Sequence, residues 1–208
     1  MDLYFSPLAC SMATRIAAYE AGAAINFLKV DTKASPKRVV DDGAVFTHIN
    51  PMGQVPVLRT DDGELLFENP VILRYVADRF PHAHLIPADG PGRRRVESWL
   101  AFIASELHAG AFIALLRPTA PEGAKAFARE SLNERFAFLD AHLTGREFLH
   151  DGFGVADAYL FVILNWSRAL RLDLSAWPAL SAYRERLQSR PSVARALSEE
   201  FALYKAAA

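Results

Sequence analysis

Asp2-Leu3-Tyr4-Phe5-Ser6-Pro7-Leu8-Ala9-Cys10-Ser11-Met12 opens the chain and governs how the rest is read. Asp2 to Phe5 predicts a short first strand. Pro7 ends it, because proline has no backbone N–H to give to a ladder. From Met12 to Ala21 the apolar spacing turns helical, and Gly22 supplies a stop signal. Cys10, the only cysteine in 208 residues, therefore sits where a strand gives way to the start of a helix. Free N–H groups and the positive end of the helix dipole favour a thiolate there. A thiol that titrates near ~8.5 in water falls by several units in such a setting. A free cysteine is also often no more than a small buried hydrophobe, so position alone leaves a reactive and a structural Cys10 both open.

Working outward, Ile25 to Val30 predicts a second strand. Asp31 to Gly43 is polar, contains Pro36, and reads as a loop or an irregular helix. Val55 to Thr60 and Glu64 to Phe67 form a predicted hairpin joined by Asp61-Asp62-Gly63. Asn69 is expected to cap the next helix, with Pro70 at its first position, and Pro81 closes it. The first two strands can pair in parallel through a crossover helix while the hairpin adds antiparallel strands. The expectation is a small α/β domain over residues 1–81, a linker over 82–90, and an all-helical domain over 91–208. In the helical part, Val96, Trp99, Leu100, Ile103 and Leu107 form one stripe. A long helix spans about Glu122 to Leu143. A helix from Val155 is apolar on nearly every side, which marks it as central and buried. Shorter helices follow Trp177-Pro178 and Arg190-Pro191, and the tail Ala206-Ala207-Ala208 is expected to fray.

The composition is 51% hydrophobic and 23% charged with a net charge of -1, enough apolar material for a sizeable core and no basic bias of the kind nucleic-acid surfaces show. Arg93-Arg94-Arg95 reads as a solvated face. A lone cysteine excludes an internal disulfide framework and a cysteine-rich zinc site, and fits a reducing compartment. No secretory leader is visible, and the longest apolar run, Val155 to Trp166, is too short to span a bilayer. The expectation is a soluble cytoplasmic protein that uses neither membrane nor nucleic acid. No G-x-G-x-x-G or Walker-type loop occurs, so no nucleotide is expected.

Four further motifs carry chemistry. A cis Val55-Pro56 bond would expose the Val55 carbonyl and N–H for an extended peptide to pair with; an ordinary trans proline is the commoner case. Glu68 and Asn69 stand at a strand–helix junction, where helix amides can take a carboxylate and Glu68 an ammonium, though capping alone explains Asn69. His108 lies off the apolar stripe, on a face with Ala101, Ala104, Ser105 and Phe112 that could border a cleft; a lone helical histidine is more often structural. No second ligand stands at metal spacing, so no metal is expected. Asp157, three residues after Gly154, is placed to reach back to its helix start as a capping-box acid. Trp99, Trp177 and Tyr159 read as core, while Trp166 could line a pocket.

In order along the whole chain, these stretches resemble the glutathione S-transferases, and within them the bacterial beta class. Tyr4 to Ser11 is similar to that class's opening strand and cysteine. Asn50 to Leu58 is similar to the segment leading into the family's cis proline. Asp62, Gly63, Leu66 and Glu68 precede its glutathione-gripping helix. Ser105 to His108 and Val155 to Phe161 resemble stretches of its helical domain.

The resemblance implies a thioredoxin-like N-terminal domain, an all-helical C-terminal domain, a homodimer, and glutathione as co-substrate for hydrophobic electrophiles. It implies that Cys10 lies beside the glutathione sulfur, with Ser11 and His108 as further candidates for activating it. It implies that Lys33 or Lys37, Val55, Pro56, Glu68, Asn69, Ser105 and His108 hold glutathione, and that Phe112, Leu116 and Trp166 line the electrophile pocket. The chain departs from the pattern at Asn69, where Gly or Ser is usual, and at Ala101, where Asn is. It departs again at Ser35, where Lys is usual, and at Gly154, where a Ser or Thr cap is. Besides conjugation, two other readings stand: glutathione-dependent thiol–disulfide exchange, peroxide reduction or reductive dehalogenation through a Cys10–glutathione mixed disulfide, and a non-catalytic ligand-binding module.

Overall fold

The structure, a computed structural model, describes residues 1–206; of the tail expected to fray, Ala207 and Ala208 lie outside the described residues. The chain divides into two compact units, Met1–His84 with the segment from Pro191 onward, and Leu85–Arg190.

The first unit is built on a five-stranded sheet of order β3-β2-β1-β4-β5. The strands are β1 (Asp2–Phe5), β2 (Asn26–Asp31), β3 (Arg38–Val39), β4 (Val57–Arg59) and β5 (Leu65–Phe67). β1 pairs in parallel with β2, and the other three pairings are antiparallel. The parallel pair requires a crossover, which α1 (Met12–Ala21) supplies. Gly22 ends α1 in the left-handed region at φ 61°, with its N–H turned back to α1 carbonyls. The polar stretch expected as loop or irregular helix contains β3, and a 3-10 turn follows at Phe46–His48. Val39 and Phe46 from this stretch complete a core with Tyr4, Val30 and Val57. These side chains and the pairing of β3 with β2 hold the segment on the sheet. α2 (Asn69–Arg79) packs on α1. So does α8 (Pro191–Lys205). The sequence puts α8 in the helical domain; its buried face, Ser192, Val193, Ala196 and Glu200, instead places it with the first unit.

The second unit is all helical: α3 (Gly90–Phe102), α4 (Ile113–Leu116), α5 (Glu122–Leu143), α6 (Val155–Ala169) and α7 (Pro178–Gln188). Between α3 and α4 the residues Ile103–Phe112 form a π-helix. Its buried positions are Ile103, Leu107, Ala111 and Phe112. Gly110 permits the close approach: a Cβ there would meet the Ser105 carbonyl oxygen at 2.6 Å. From Gly90 to Leu116 the helix is continuous for 27 residues, long and apolar enough by length and composition to cross a bilayer. The longest run noted in the sequence, Val155 to Trp166, is therefore not the one that meets this test. In the structure the rod packs on α5 and α6.

α6 is central, with Val155 through Leu164 all buried. Burying each large aliphatic or aromatic side chain there contributes about 1.5–3 kcal/mol. Its start is fixed by Asp157, whose carboxylate accepts the N–H of Gly154 at 2.9 Å, the N–H of Leu149 at 2.9 Å and the hydroxyl of Tyr183 at 2.8 Å. Gly154 has no side chain to complete a capping box, and it has none for a reason: a Cβ would lie 2.6 Å from the Leu85 carbonyl oxygen, which accepts the Val155 N–H.

Asp157→Ala leaves three buried donors without their acceptor at about 1–3 kcal/mol each. The expected loss in urea unfolding is about 3 kcal/mol or more; a loss under about 1 kcal/mol would contradict the assignment. Burial raises the Asp157 carboxyl from 3.8 to about 6. The unfolded chain therefore loses this proton earlier than the folded one. The stability that this group contributes is full below about pH 4 and falls as pH rises through about 6. Asp157→Asn should flatten that part of the stability–pH curve.

Candidate functional site

In the first unit the site grows from the turn between β1 and α1. Ser11 is fully buried, but its hydroxyl closes the turn: it accepts the Ser6 N–H at 3.4 Å and donates to the Ser6 carbonyl at 3.3 Å. The Ala9 N–H also returns to the Ser6 carbonyl, at 3.1 Å. Leu8 takes the left-handed conformation at φ 62°. Its N–H donates at 2.7 Å to the carboxylate of Glu200, 192 residues away on α8.

Cys10 is 7% exposed, and its thiol donates to the Val55 carbonyl at 3.5 Å. The peptide bond from Val55 to Pro56 is cis, as is Ser35–Pro36. The Asn69 side chain hydrogen-bonds the thiol, and the Glu68 charge acts on it. Of the two characters that position leaves open for Cys10, burial favours the protonated thiol. Burial pushes the Cys10 thiol up to about 12, against hydrogen bonds from Asn69 and the Cys10 and Ser11 amides that pull it down. Cys10 lies two residues ahead of Met12, where α1 begins. Dipole and amides act at that range, yet losing water costs the charged sulfur more.

Glu68, not Asn69, is the N-cap of α2. It adopts φ 66°, and its carbonyl accepts the N–H groups of Val71 and Ile72 at 3.0 Å each. Its side chain is left exposed at the strand–helix junction. Asn69 falls inside the first turn, 3% exposed, and its Oδ1 has no partner among the described residues. A buried acceptor in that condition calls for a donor. Of the two lysines, Lys33 is exposed, while Lys37 is half-buried and donates to the Gly53 carbonyl at 2.7 Å. Lys37 is thus tied to the segment that leads into Val55-Pro56.

In the second unit, His108 sits on the π-helix, half-buried, with Nδ1 2.7 Å from the Tyr159 hydroxyl and its ring 5.1 Å from Trp166. Burial lowers its imidazolium from 6.5 to about 4, so the ring is neutral at ordinary pH. Phe112, expected in a pocket wall, is fully buried in the aromatic core against Trp166 and Phe136. Trp166 is half-buried, and Ser105 and Leu116 are exposed. A cavity of about 490 Å³, lined by Trp99, Phe102, Phe138, His142, Arg95 and Arg146, opens beside α3. Trp99, read as core, is half-exposed on it. Among the described residues no three His, Cys, Asp or Glu side chains come together to hold a metal ion.

Sequence reading missed Lys37's anchorage, Tyr159 as the partner of His108, and Glu200. Only Lys37 had a signal, as one of two lysines flanking Ser35.

Comparison with known proteins agrees with this geometry. The family described as Glutathione S-transferase, N-terminal domain, matches residues 2–78, and its C-terminal counterpart matches residues 102–191. The glutathione S-transferase GstA of Escherichia coli O157:H7 is 37% identical over 202 residues, covering 96% of this chain and 98% of its own. A sphingomonad glutathione S-transferase solved in complex with glutathione is 42% identical with a TM-score of 0.89, over 96% of this chain and 98% of that one. The beta-class enzyme of Sphingomonas chungbukensis aligns equally well, at 42% identity and a TM-score of 0.89 over the same shares of the two chains. The chain belongs to the glutathione S-transferase family, within its bacterial beta class.

Proposed function

We propose that this chain is a cytoplasmic glutathione transferase that joins reduced glutathione to hydrophobic electrophiles. One observation carries the reading. A thiol, a peptide carbonyl, an exposed carboxylate and an orphaned amide oxygen gather at one edge of the thioredoxin-like unit, on Cys10, Val55, Glu68 and Asn69. A γ-glutamyl peptide has matching groups. Its ammonium fits the Glu68 carboxylate and the Asn69 Oδ1. Its backbone amides fit the exposed strand end at Val55. Lys37 is the lysine better placed for the peptide's other end, since it is anchored beside Gly53.

In conjugation the glutathione thiol gives its proton to solvent. Its sulfur then attacks the electrophilic carbon, a C–S bond forms and the leaving group departs with its electron pair. Cys10 keeps its own proton under these conditions and acts as an S–H donor to the neighbouring thiolate. That stabilises charge without forming a bond. A mixed disulfide would need Cys10 itself as a thiolate, so the buried, protonated thiol favours conjugation over the redox reading. The parts of Ser105, His108, Leu116 and Trp166 rest on the family resemblance, as does a homodimer. His108, neutral and held at Nδ1 by Tyr159, is suited to donate from Nε2 rather than to carry charge.

Turnover of an aryl halide with glutathione, wild type beside Cys10→Ala, tests the central step. One neutral S–H hydrogen bond is worth about 1 kcal/mol, so a fall of about fivefold in kcat with glutathione binding intact is expected. Complete loss of turnover in the variant would favour covalent chemistry through Cys10. Binding without turnover in the wild type would favour a ligand-binding module. For His108, the pH profiles of kcat/KM of wild type and His108→Gln should differ by a constant factor between about pH 5.5 and 8. A break near pH 6.5 that vanishes in the variant would contradict a neutral His108.

A further inference from the structure

The Cys10 turn is not held by its neighbours in sequence alone. Glu200 on α8 is fully buried. One carboxylate oxygen accepts the Leu8 N–H at 2.7 Å, and the other accepts Arg15 Nε at 2.9 Å. Arg15, 4% exposed, comes from the second turn of α1 and lies over the ring of Phe27 at 3.7 Å and that of Phe5 at 4.5 Å. One carboxylate thus joins the start of α1, the end of β1 and the turn between them. The tie lands on Leu8, a non-glycine residue in the left-handed region, two positions before Cys10. Such a conformation persists only where the surroundings over-determine it.

We propose that Glu200 is a positioning residue for the Cys10 turn, and that its negative charge sets how tightly the turn closes over the thiol. The functional meaning of this rests on the glutathione-site reading given above; the physical claim does not. The charged form makes charge-assisted bonds to Leu8 and Arg15, roughly twice as strong as neutral ones. Protonation keeps the contacts but weakens them. The turn then opens more often, and the thiol meets solvent.

The groups facing Glu200 are few. From α1 they are Arg15 and, beyond it, Tyr19. From α8 they are Glu199, which accepts from Arg15 at 3.3 Å and from Tyr19, and Arg195, which pairs with Glu199 at 2.8 Å. From the turn there is the Leu8 N–H. Burial is the largest influence on the Glu200 carboxyl and raises it from 4.5 to about 7, against the pull of Arg15 and the Leu8 N–H. The charge therefore changes within the range in which the protein can be handled.

Cys10 is the only cysteine, so its alkylation by iodoacetamide can be followed by intact mass without ambiguity. A rigidly held thiol with a high pKa should react about tenfold more slowly for each unit the pH falls. The wild type is expected to follow this line above about pH 7 and to depart from it below. There the loosened turn should make the rate about fivefold higher than the line extrapolates. Glu200→Gln should follow one straight line throughout, lifted by about the same factor. Glu199→Gln, which spares the Leu8 contact, should keep the wild-type break. A straight wild-type line, or a break that persists in Glu200→Gln, would overturn the proposal. Should Glu200→Gln fail to fold, the wild-type profile and Glu199→Gln still decide it, because a general loosening would not place a break at the carboxyl's titration. No arm uses glutathione, so failure here leaves the transferase reading standing, and absence of turnover leaves this one standing.

Discussion

Burying a thiol beside a turn that must hold a left-handed leucine is the constraint on which the first unit depends. Ser6, Ala9 and Ser11 bond among themselves within the turn, while the Leu8 N–H points out of it to α8. Its acceptor there is the Glu200 carboxylate, and burying that acceptor as an anion in turn demands Arg15. Arg15 is held against Phe5 and Phe27, so strand, helix and C-terminal helix are fixed by one charge pair. A buried pair of this kind is a weak source of net stability, because desolvation offsets attraction. Its value lies in defining where the turn sits. That is also why α8, the last helix of the chain, belongs to the first unit.

The same burial decides the character of Cys10. A helix N-terminus favours anions by up to a couple of kcal/mol. Removing a thiolate from water costs more where Cys10 is only 7% exposed. The outcome is a thiol that donates rather than attacks, with the Val55 carbonyl as its acceptor at rest. A weak donor of this kind can stabilise a neighbouring thiolate without competing with it as a nucleophile. His108 follows a parallel logic in the second unit: burial keeps it neutral, and Tyr159 fixes one nitrogen.

Much of this was legible in the chain itself, where local chemistry has a short reach. Gly22 ended α1, Pro70 marked the start of α2, and Asp157 reached back to Gly154 as its spacing implied. Cys10, Val55 and the Glu68–Asn69 pair could be singled out because each stands at a strand–helix junction or a proline. What could not be read needed partners far off in sequence. Glu200 looks like one more acid on an amphipathic helix until α8 docks on α1. The cap passed from Asn69 to Glu68 because the left-handed turn at Glu68 shifts the helix start by one residue. The π-helix over Ile103–Phe112 had no periodicity of its own to announce it. The clue was Gly110, whose lack of a Cβ lets the wider turn close, and a lone helical glycine carries no such meaning by itself. The beginning of α8 gave no sign of which unit it would join.

The most direct test is the ultraviolet thiolate absorbance of Cys10, titrated as a difference between wild type and Cys10→Ala from about pH 6 to 10. The physical account requires a thiol that burial keeps protonated, so the difference signal should stay flat across nearly the whole range. A thiolate that appears at or below about pH 8.5, the range of an unperturbed cysteine, would mean that helix dipole and amides outweigh desolvation, and the role of Cys10 as a hydrogen-bond donor would fall.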